Sequence, residues 1–387
     1  MKSLGTFVLS LLLLIPLSGE VKKPSKAQPE PYRFTMVKEV PRSSVKNQAR
    51  TGTCWDFATL SFLEAELMRA GKGELDLSEM FVVRRVYPAK AELYVRRHGD
   101  SPFGPGGQAH DVINTIKRYG IVPEEVYDGL KIGEKRHNHG ELEAVLQGML
   151  QGIVKRPGGK VTPLWKEAFE KVLDIYLGAE PKEFAYQGKS YTPESFLKER
   201  VPLNLDDYIE ITSYSLAPFY SKVRLEFPDN WAGGEYYNLP IDELERVMDY
   251  ALENGYTFAW DGDVSERDFA ARNQGYAVVP KVDWEDKSQA EREAPVTEPV
   301  VEKEITQEMR QVTFDNQTTT DDHLMHITGL AKDQKGAKFY QTKNSWGVDG
   351  KYKGYLYMSA PYVRLKTIAI MINKSALPSD IAKKLSF

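Results

Sequence analysis

Residues 48–58 form the most informative stretch of the chain and read Gln48-Ala49-Arg50-Thr51-Gly52-Thr53-Cys54-Trp55-Asp56-Phe57-Ala58. Apolar residues then recur at spacings of three and four until Gly71, which predicts a helix over residues 57–68 that contains Phe57, Leu60, Leu63 and Leu67. The stretch therefore places the single cysteine of the chain at the first turn of a helix, with Thr53 as the candidate cap. A helix N-terminus carries partial positive charge and unpaired N–H groups, and both favour a thiolate over a thiol.

The position of Cys54 leaves two interpretations open. A cysteine at a helix start is by itself more often a packing residue than a nucleophile. Gln48 favours the nucleophile, because its side-chain amide and the Cys54 backbone N–H can together hold the oxyanion of a tetrahedral intermediate. One cysteine cannot form a disulfide within this chain.

A cysteine nucleophile needs a base, and the chain has six histidines. Four of them lie in predicted helices or loops without an orienting partner nearby: His98, His110, His137 and His139. The other two lie in a predicted strand, Asp322-His323-Leu324-Met325-His326-Ile327-Thr328-Gly329-Leu330. Successive side chains of a strand face opposite sides, so His323 and His326 cannot both point at one site, and periodicity does not choose between them.

A third motif reads Lys343-Asn344-Ser345-Trp346-Gly347. The side-chain oxygen of Asn344 can accept a hydrogen bond from a histidine N–H, which fixes the tautomer and the ring plane of that histidine. Trp346 would shield this hydrogen bond from water. On its own, the same run is also compatible with an ordinary turn.

Taken in order, the three motifs resemble the signature of the papain family of cysteine peptidases: Gln48 with Cys54-Trp55, Asp322-His323 with Gly329, and Asn344-Ser345-Trp346-Gly347. Four more runs resemble the same family: Leu77-Ser78-Glu79, Pro105-Gly106-Gly107-Gln108, Tyr119-Gly120-Ile121 and Gly354-Tyr355-Leu356. The resemblance covers residues 41–130 and 237–372.

The resemblance implies an α+β fold of two lobes, with a helical lobe that contains the nucleophile helix and an antiparallel β lobe. It implies four catalytic residues: the nucleophile Cys54, the base His323 rather than His326, the orienting residue Asn344 and the oxyanion donor Gln48. It also implies peptide substrates, bound by Gly106, Gly107 and Trp346. Neither a cofactor nor a metal is expected.

The sequence departs from the secreted papain-like peptidases at Thr51, where those proteins have a second cysteine. The separation of Cys54 and His323 also exceeds the usual gap of about 130–150 residues by more than a hundred, which predicts a large insertion over residues 131–236. A disulfide-free core with such an insertion resembles the bleomycin hydrolase and aminopeptidase C branch. That resemblance implies removal of N-terminal residues from peptides and assembly into a homo-hexamer.

The N-terminus has the pattern of a secretory signal: Lys2 precedes an apolar run over 7–15, and Pro16, Ser18 and Gly19 follow. The run is shorter than the roughly 20 residues that span a bilayer, so we expect an exported protein without a stable membrane anchor; a buried N-terminal helix is the alternative. The predicted segments are a signal peptide (1–19), a flexible leader (20–40), the helical lobe (41–130), the insertion (131–236), the β lobe (237–372) and a C-terminal tail (373–387).

The charge of the chain indicates which partners it can bind. A net charge of -4 without a dense run of Lys or Arg argues against nucleic-acid binding.

In the aminopeptidase C branch, the carboxylate of a C-terminal arm meets the free amine of the substrate. Here residues 379–387 are expected to form a short helix instead. We therefore expect a loosened, endopeptidase-like restriction, with N-blocked and free-amine peptides cleaved at comparable rates.

Two further activities stay open at this point. An acyl transferase would use the same cysteine and histidine, although Asn344 disfavours it because such sites usually orient the histidine with an acid. A non-catalytic binding protein would keep the fold, but the intact Cys54, Gln48 and His323 disfavour that interpretation.

Overall fold

The computed structural model describes residues 30–133, 135–294 and 296–387. The predicted signal peptide, residues 1–19, and the first ten residues of the predicted leader lie outside the described residues. None of the helices within the three described ranges is long and apolar enough to cross a membrane.

Eleven α-helices occur in the described ranges: α1 (Cys54–Arg69), α2 (Glu79–Arg96), α3 (Ala109–Tyr119), α4 (Gly140–Val154), α5 (Leu164–Leu177), α6 (Pro193–Arg200), α7 (Ile241–Glu253), α8 (Gln289–Glu293), α9 (Gln307–Asp315), α10 (Ala360–Lys366) and α11 (Ser379–Lys384). The same ranges contain thirteen β-strands: β1 (Thr35–Glu39), β2 (Phe184–Tyr186), β3 (Lys189–Tyr191), β4 (Tyr208–Thr212), β5 (Lys222–Arg224), β6 (Glu235–Asn238), β7 (Phe258–Gly262), β8 (Phe269–Ala270), β9 (Tyr276–Ala277), β10 (His323–Lys332), β11 (Lys338–Lys343), β12 (Tyr355–Ser359) and β13 (Thr367–Asn373).

Helix α1 lies between the helical lobe and the sheet. It contacts α2 and α3 on one side and strands β7 and β10 on the other, so nearly all of its residues are buried. Two of its three buried carboxylates are paired with cations. The third, Asp56, has no hydrogen-bond partner in the described ranges, and burial raises its pKa well above the usual value. Glu66 contacts Arg69 at 2.8 Å and Glu64 contacts Lys46 at 3.3 Å. This central position fixes the helix start, and with it Cys54, against the sheet.

Helix α2 begins where the sequence predicts it. The side chain of Ser78 accepts a hydrogen bond from the Phe81 backbone N–H at 3.1 Å, which satisfies one of the free donors at the helix start. This confirms the predicted cap. Helices α4 and α5 then pack on α2 through buried apolar residues that include Leu142, Leu146, Phe169 and Leu173.

One large sheet forms the second lobe, with the strand order β5-β6-β4-β13-β7-β10-β11-β12-β9-β8, and β1 pairs with β10 beside this path. Most neighbours are antiparallel, but β4–β6 and β12–β9 are parallel pairs. The sheet is therefore mixed rather than purely antiparallel. A helical lobe packed on this sheet confirms the predicted α+β fold of two lobes.

Two predicted boundaries differ from the structure. Residues 35–39 of the predicted flexible leader form strand β1, which pairs with β10 from Thr35 opposite Lys332 to Glu39 opposite Gly329. The predicted insertion, residues 131–236, packs into both lobes. Its helices α4 and α5 belong to the core of the helical lobe, and its strands β4, β5 and β6 extend the large sheet beyond β13.

Two segments in the C-terminal half of the chain contain short helices. The segment 285–312 contains the exposed α8 and most of α9. The last residues form α11, and the ring of Phe387 packs against Tyr237 at a centroid distance of 5.1 Å.

Candidate active site

Cys54 is the first residue of helix α1 and is partly exposed, in contrast to the buried residues that follow it. Thr53 occupies the N-cap position, but its side chain makes no capping hydrogen bond and instead contacts the Thr51 hydroxyl at 2.6 Å. The prediction of Thr53 as a side-chain cap is therefore wrong. Its backbone carbonyl instead accepts from the Asp56 N–H at 3.0 Å, and the Trp55 N–H acts on the Cys54 thiol.

The electrostatic setting of Cys54 differs from the sequence expectation. Burial raises the pKa of the Cys54 thiol to about 12, the backbone N–H groups of Leu324 and Trp55 lower it, and the charges of Asp321 and Asp229 raise it further. The helix terminus alone therefore does not produce a thiolate in the free protein. A thiolate at Cys54 requires a counter-charge, either an imidazolium or a cation brought by the substrate.

His323, Asn344 and Trp346 form one group at the start of strand β10. The His323 Nε2 and the Asn344 Oδ1 lie 2.8 Å apart, and both side chains are buried. The ring of Trp346 stacks on the His323 ring at a centroid distance of 4.9 Å and an interplanar angle of 30°. Burial lowers the pKa of His323 to about 4, and the hydrogen bond to Asn344 partly opposes that shift.

The hydrogen bonds define the tautomer of His323. The Ser345 backbone N–H donates to Asn344 Oδ1 at 2.7 Å, so that atom is an acceptor. His323 Nε2 must then carry the hydrogen that it donates to Asn344. The Nδ1 atom is left as the basic nitrogen. The thiol of Cys54 lies against the backbone N–H of Leu324, the next residue along the strand.

Gln48 is held in the same region by four hydrogen bonds, one of which runs from the Thr51 hydroxyl to the Gln48 backbone carbonyl at 3.0 Å. Its backbone N–H donates to the Ser345 carbonyl at 2.8 Å, and its side-chain N–H donates to the Thr51 carbonyl at 2.8 Å. The Ser345 hydroxyl donates to Gln48 Oε1. An amide nitrogen has two N–H groups, and one of them is used for Thr51. The buried side chain of Gln48 therefore has a second N–H to offer a ligand.

His326 lies on the other face of strand β10. Its Nδ1 atom contacts the Ser61 hydroxyl at 2.8 Å, and the same hydroxyl accepts from the Lys343 ammonium at 2.8 Å. Burial and the charge of Lys343 lower the pKa of His326 well below the usual value. The structure thus brings His323, and not His326, together with Asn344.

Gly106 and Gly107 lie between helix α2 and the start of α3. A side chain at Gly107 would meet the indole of Trp55 at 3.0 Å, and the Trp55 Nε1 donates to the Pro105 carbonyl at 2.9 Å. The two glycines are thereby fixed beside the Cys54 helix. A side chain at Gly106 would collide with the Asp229 carboxylate, since its Cβ would lie 1.9 Å from Asp229 Oδ2.

A groove of about 1070 Å³ opens beside Asn344 and Trp346. Three arginines line it: Arg50, Arg136 and Arg272. The opposite side of Cys54 is acidic, because Asp229, Asp261 and Asp321 all act on or near the thiol. None of these three carboxylates is among the site residues predicted from the sequence. Asp321 is adjacent to the Asp322-His323 motif, whereas no local pattern marks Asp229.

Comparison with known proteins identifies the class. The model of the Peptidase C1-like family matches residues 161–386, which is more than half of the chain. Aminopeptidase G of Lactobacillus delbrueckii subsp. lactis is 23% identical over 389 residues, covering 90% of this chain and 85% of that protein. Bleomycin hydrolase of Homo sapiens is 23% identical over 391 residues, covering 87% of this chain and 81% of that protein.

Among solved structures, PepW from Lactobacillus rhamnosis HN001 has the same fold, with a TM-score of 0.70 and 21% identity over 91% of this chain and 84% of that one. The chain belongs to the Peptidase C1-like family and is a cysteine-type peptidase. Within that family it falls in the aminopeptidase C and bleomycin hydrolase branch, as the sequence resemblance predicted.

Proposed function

We propose that this protein hydrolyses peptides as an aminopeptidase, with Cys54 as the nucleophile and His323 as the base. The observation that carries the proposal is the 2.8 Å contact between His323 Nε2 and Asn344 Oδ1 beneath Trp346, at the strand end next to the Cys54 thiol. The names of the relatives, aminopeptidases C and G, support the same reaction class.

The first half of the reaction forms a thioester. His323 Nδ1 takes the thiol proton as the Cys54 sulfur attacks the scissile carbonyl carbon, so the carbonyl oxygen becomes an oxyanion. The imidazolium then gives that proton to the leaving amine as the C–N bond breaks. Asn344 keeps the ring in one orientation throughout, because it accepts from Nε2 in both protonation states of Nδ1.

The second half releases the acyl group. His323 Nδ1 takes a proton from water, the resulting hydroxide attacks the thioester carbon, and the thiolate leaves and regains the proton. The second N–H of Gln48 and the backbone N–H of Cys54 stabilise the oxyanion in both halves. The hydrogen bonds from Gln48 to Thr51 and from Ser345 to Gln48 fix the Gln48 side chain before the substrate arrives. Donors that are already in place stabilise the oxyanion most effectively.

Replacing Cys54 tests this proposal. Cys54→Ala and the closer Cys54→Ser variant are expected to fold like the parent and to release no coumarin from an aminoacyl coumarin amide above background. A thiol-directed reagent, iodoacetamide or a peptidyl epoxide, should label one site per chain, because Cys54 is the single cysteine. Activity retained by Cys54→Ala would end the proposal.

A further inference from the structure

Three aspartates from separate parts of the chain converge beside Cys54. Asp321 precedes strand β10, Asp261 lies on β7 directly opposite Leu324, and Asp229 comes from the segment before β6. Asp321 and Asp229 act on the Cys54 thiol, and Asp261 and the thiol also interact electrostatically. Three carboxyl groups, and the negative charge of those that are ionised, are therefore concentrated near the reacting sulfur.

Protein cations offset little of this charge. Lys90 acts on Asp229, but its ammonium donates to the carbonyls of Gly104 and Gly106 rather than to a carboxylate. Asp321 accepts a neutral hydrogen bond from Gln108 Nε2 at 3.1 Å. Burial raises the pKa of Asp321 to about 7, and repulsion from Asp229 adds to that shift. Among the described residues, Lys90 is thus near Asp229, but no lysine or arginine forms an ion pair with Asp229, Asp261 or Asp321.

Two buried polar side chains in or beside this group of carboxylates have unused hydrogen-bonding capacity in the described ranges. Asp261 is 3% exposed, and no N–H or hydroxyl donor reaches its carboxyl oxygens there; its carboxyl group is hydrogen-bonded to that of Asp321, and burial raises its pKa well above the usual value. Tyr236 is 0% exposed, and its hydroxyl is likewise without a partner among the described residues, although it lies in the field of Asp261 and Asp321. Buried polar groups are normally satisfied, so these atoms leave hydrogen-bonding capacity that a polar ligand could use.

The position of Asp229 limits how much peptide fits. Its carboxylate rests on Gly106, where even a methyl group would collide with it. Gly106 and Gly107 are the residues that the papain-like resemblance assigns to the backbone of the substrate. A peptide that continued past this point on the acidic side would have to displace Asp229. A substrate residue that ended here would instead place its amino group beside the Asp229 carboxylate.

We infer that Asp229 and Asp321, with Asp261 behind them, bind a substrate ammonium group, and that its source is the free α-amine of the residue being released. The inference rests on the proposed function and names the chemical feature that selects its substrates. It replaces the expectation that N-blocked and free-amine peptides are cleaved equally well. A bound ammonium also offsets the two charges that oppose a thiolate at Cys54, so binding the correct end of the peptide assists activation of the nucleophile.

A ratio of two rates on one enzyme sample tests the inference. We would measure kcat/KM of the full chain for a leucyl coumarin amide and for its N-acetylated form, in the parent and in Asp229→Asn and Asp321→Asn. The parent should prefer the free amine by about a hundredfold or more. Each variant should lower that ratio by about tenfold or more, as loss of a charged hydrogen bond predicts. The ratio does not depend on the fraction of folded enzyme.

Glu226→Gln is the matched control, because Glu226 is an exposed carboxylate in the same segment as Asp229. It should leave the ratio unchanged. A parent ratio near one, or a ratio unchanged in both aspartate variants, would overturn the inference while leaving the proposed function intact. Failure of the proposed function has a different signature, namely Cys54→Ala retaining activity on either substrate.

A second pair of substrates separates the two sources of an ammonium group. N-acetyl-lysyl-leucyl and N-acetyl-methionyl-leucyl coumarin amides differ in the side chain at the position beyond the released residue. Both should be poor substrates if the α-amine is the ligand. If the lysyl compound is cleaved as fast as the free-amine substrate and Asp229→Asn removes that rate, the cation comes from a basic side chain and the α-amine assignment is wrong.

Discussion

His323 and His326 lie three residues apart on strand β10, and both are buried with lowered pKa values. Their surroundings differ. His323 has the neutral acceptor Asn344 behind Nε2 and a tryptophan over its ring. His326 faces Ser61, which also holds the Lys343 ammonium. A proton added at His323 Nδ1 leaves an imidazolium whose Nε2–H still has the Asn344 acceptor, whereas a proton added to His326 places a second positive charge near the Lys343 ammonium.

Burial alone therefore does not make a histidine a suitable general base. Both rings are removed from water, which by itself disfavours the imidazolium. The difference lies in what stabilises the charged form when it appears. Asn344 stabilises it at His323, and a thiolate at Cys54 would add to that effect. Lys343 and Arg42 oppose it at His326.

The largest expected effect comes from exchanging the two histidines for alanine. His323→Ala should reduce kcat by several powers of ten, because the loss of a base from a unit of this kind costs far more than a packing change. His326→Ala should retain most of the rate, with its loss appearing as a lower free energy of unfolding. Steady-state rates and urea unfolding on both variants measure this. The reverse ranking would show that the base is on the other face of the strand.

A smaller effect is expected from the group that holds the oxyanion. Gln48→Ala should lower kcat by about 10²–10³, since it removes one donor that acts on the transition state. Ser345→Ala provides the control, because it removes the hydroxyl that orients Gln48 but leaves the donor in place. Its loss should be about tenfold. Equal kcat for Gln48→Ala and the parent would remove Gln48 from the site.

A third histidine, the largely buried His110, has a raised pKa, in contrast to His323 and His326. Burial alone lowers the pKa of His110, but the Glu210 carboxylate at 2.7 Å outweighs burial and raises that pKa to about 9. Folded His110 therefore stays protonated at a pH where the unfolded chain has released the proton. The resulting stabilisation is complete below about pH 6.5 and is lost as the pH rises to about 9.

The size of this effect follows from the difference between the two pKa values. Protonated His110 contributes about 3 kcal/mol to the free energy of unfolding at low pH, and this contribution is lost at high pH. Urea unfolding at pH 6 and at pH 9.5 should show this extra loss in the parent and in the exposed control Glu235→Gln, and much less of it in Glu210→Gln. A loss of the same size in Glu210→Gln would mean that His110 is not charged in the folded protein.

Sequence patterns predicted the parts of the site that lie in short local motifs. Gln48 and Cys54 lie in one stretch, as do Asn344 and Trp346, and the predicted helix and strands bring these stretches together. The pKa of Cys54 was not predictable in this way. The helix terminus is a local feature, whereas burial and the charge of Asp229 depend on how distant segments pack.

The missed strand has a similar physical cause. Residues 35–39, Thr-Met-Val-Lys-Glu, show a weak polar alternation next to prolines, which reads as an unstructured leader. They become a strand because β10, nearly three hundred residues later, offers them an edge. The same holds for β4 to β6 in the predicted insertion, whose partner strand β13 lies near the end of the chain.

Strand β1 also sets a limit on N-terminal processing. Tyr32 is 1% exposed, and β1 covers one edge of the strand that carries His323. Cleavage near residue 20, as a signal peptidase would make, leaves both features intact. Cleavage past residue 34 would remove Tyr32 from its apolar cluster and leave the backbone groups of β10 open to pairing with another chain. Removal of strand β1 would therefore expose an edge that favours aggregation, so a signal peptidase acting on the predicted signal would have to cut before that strand.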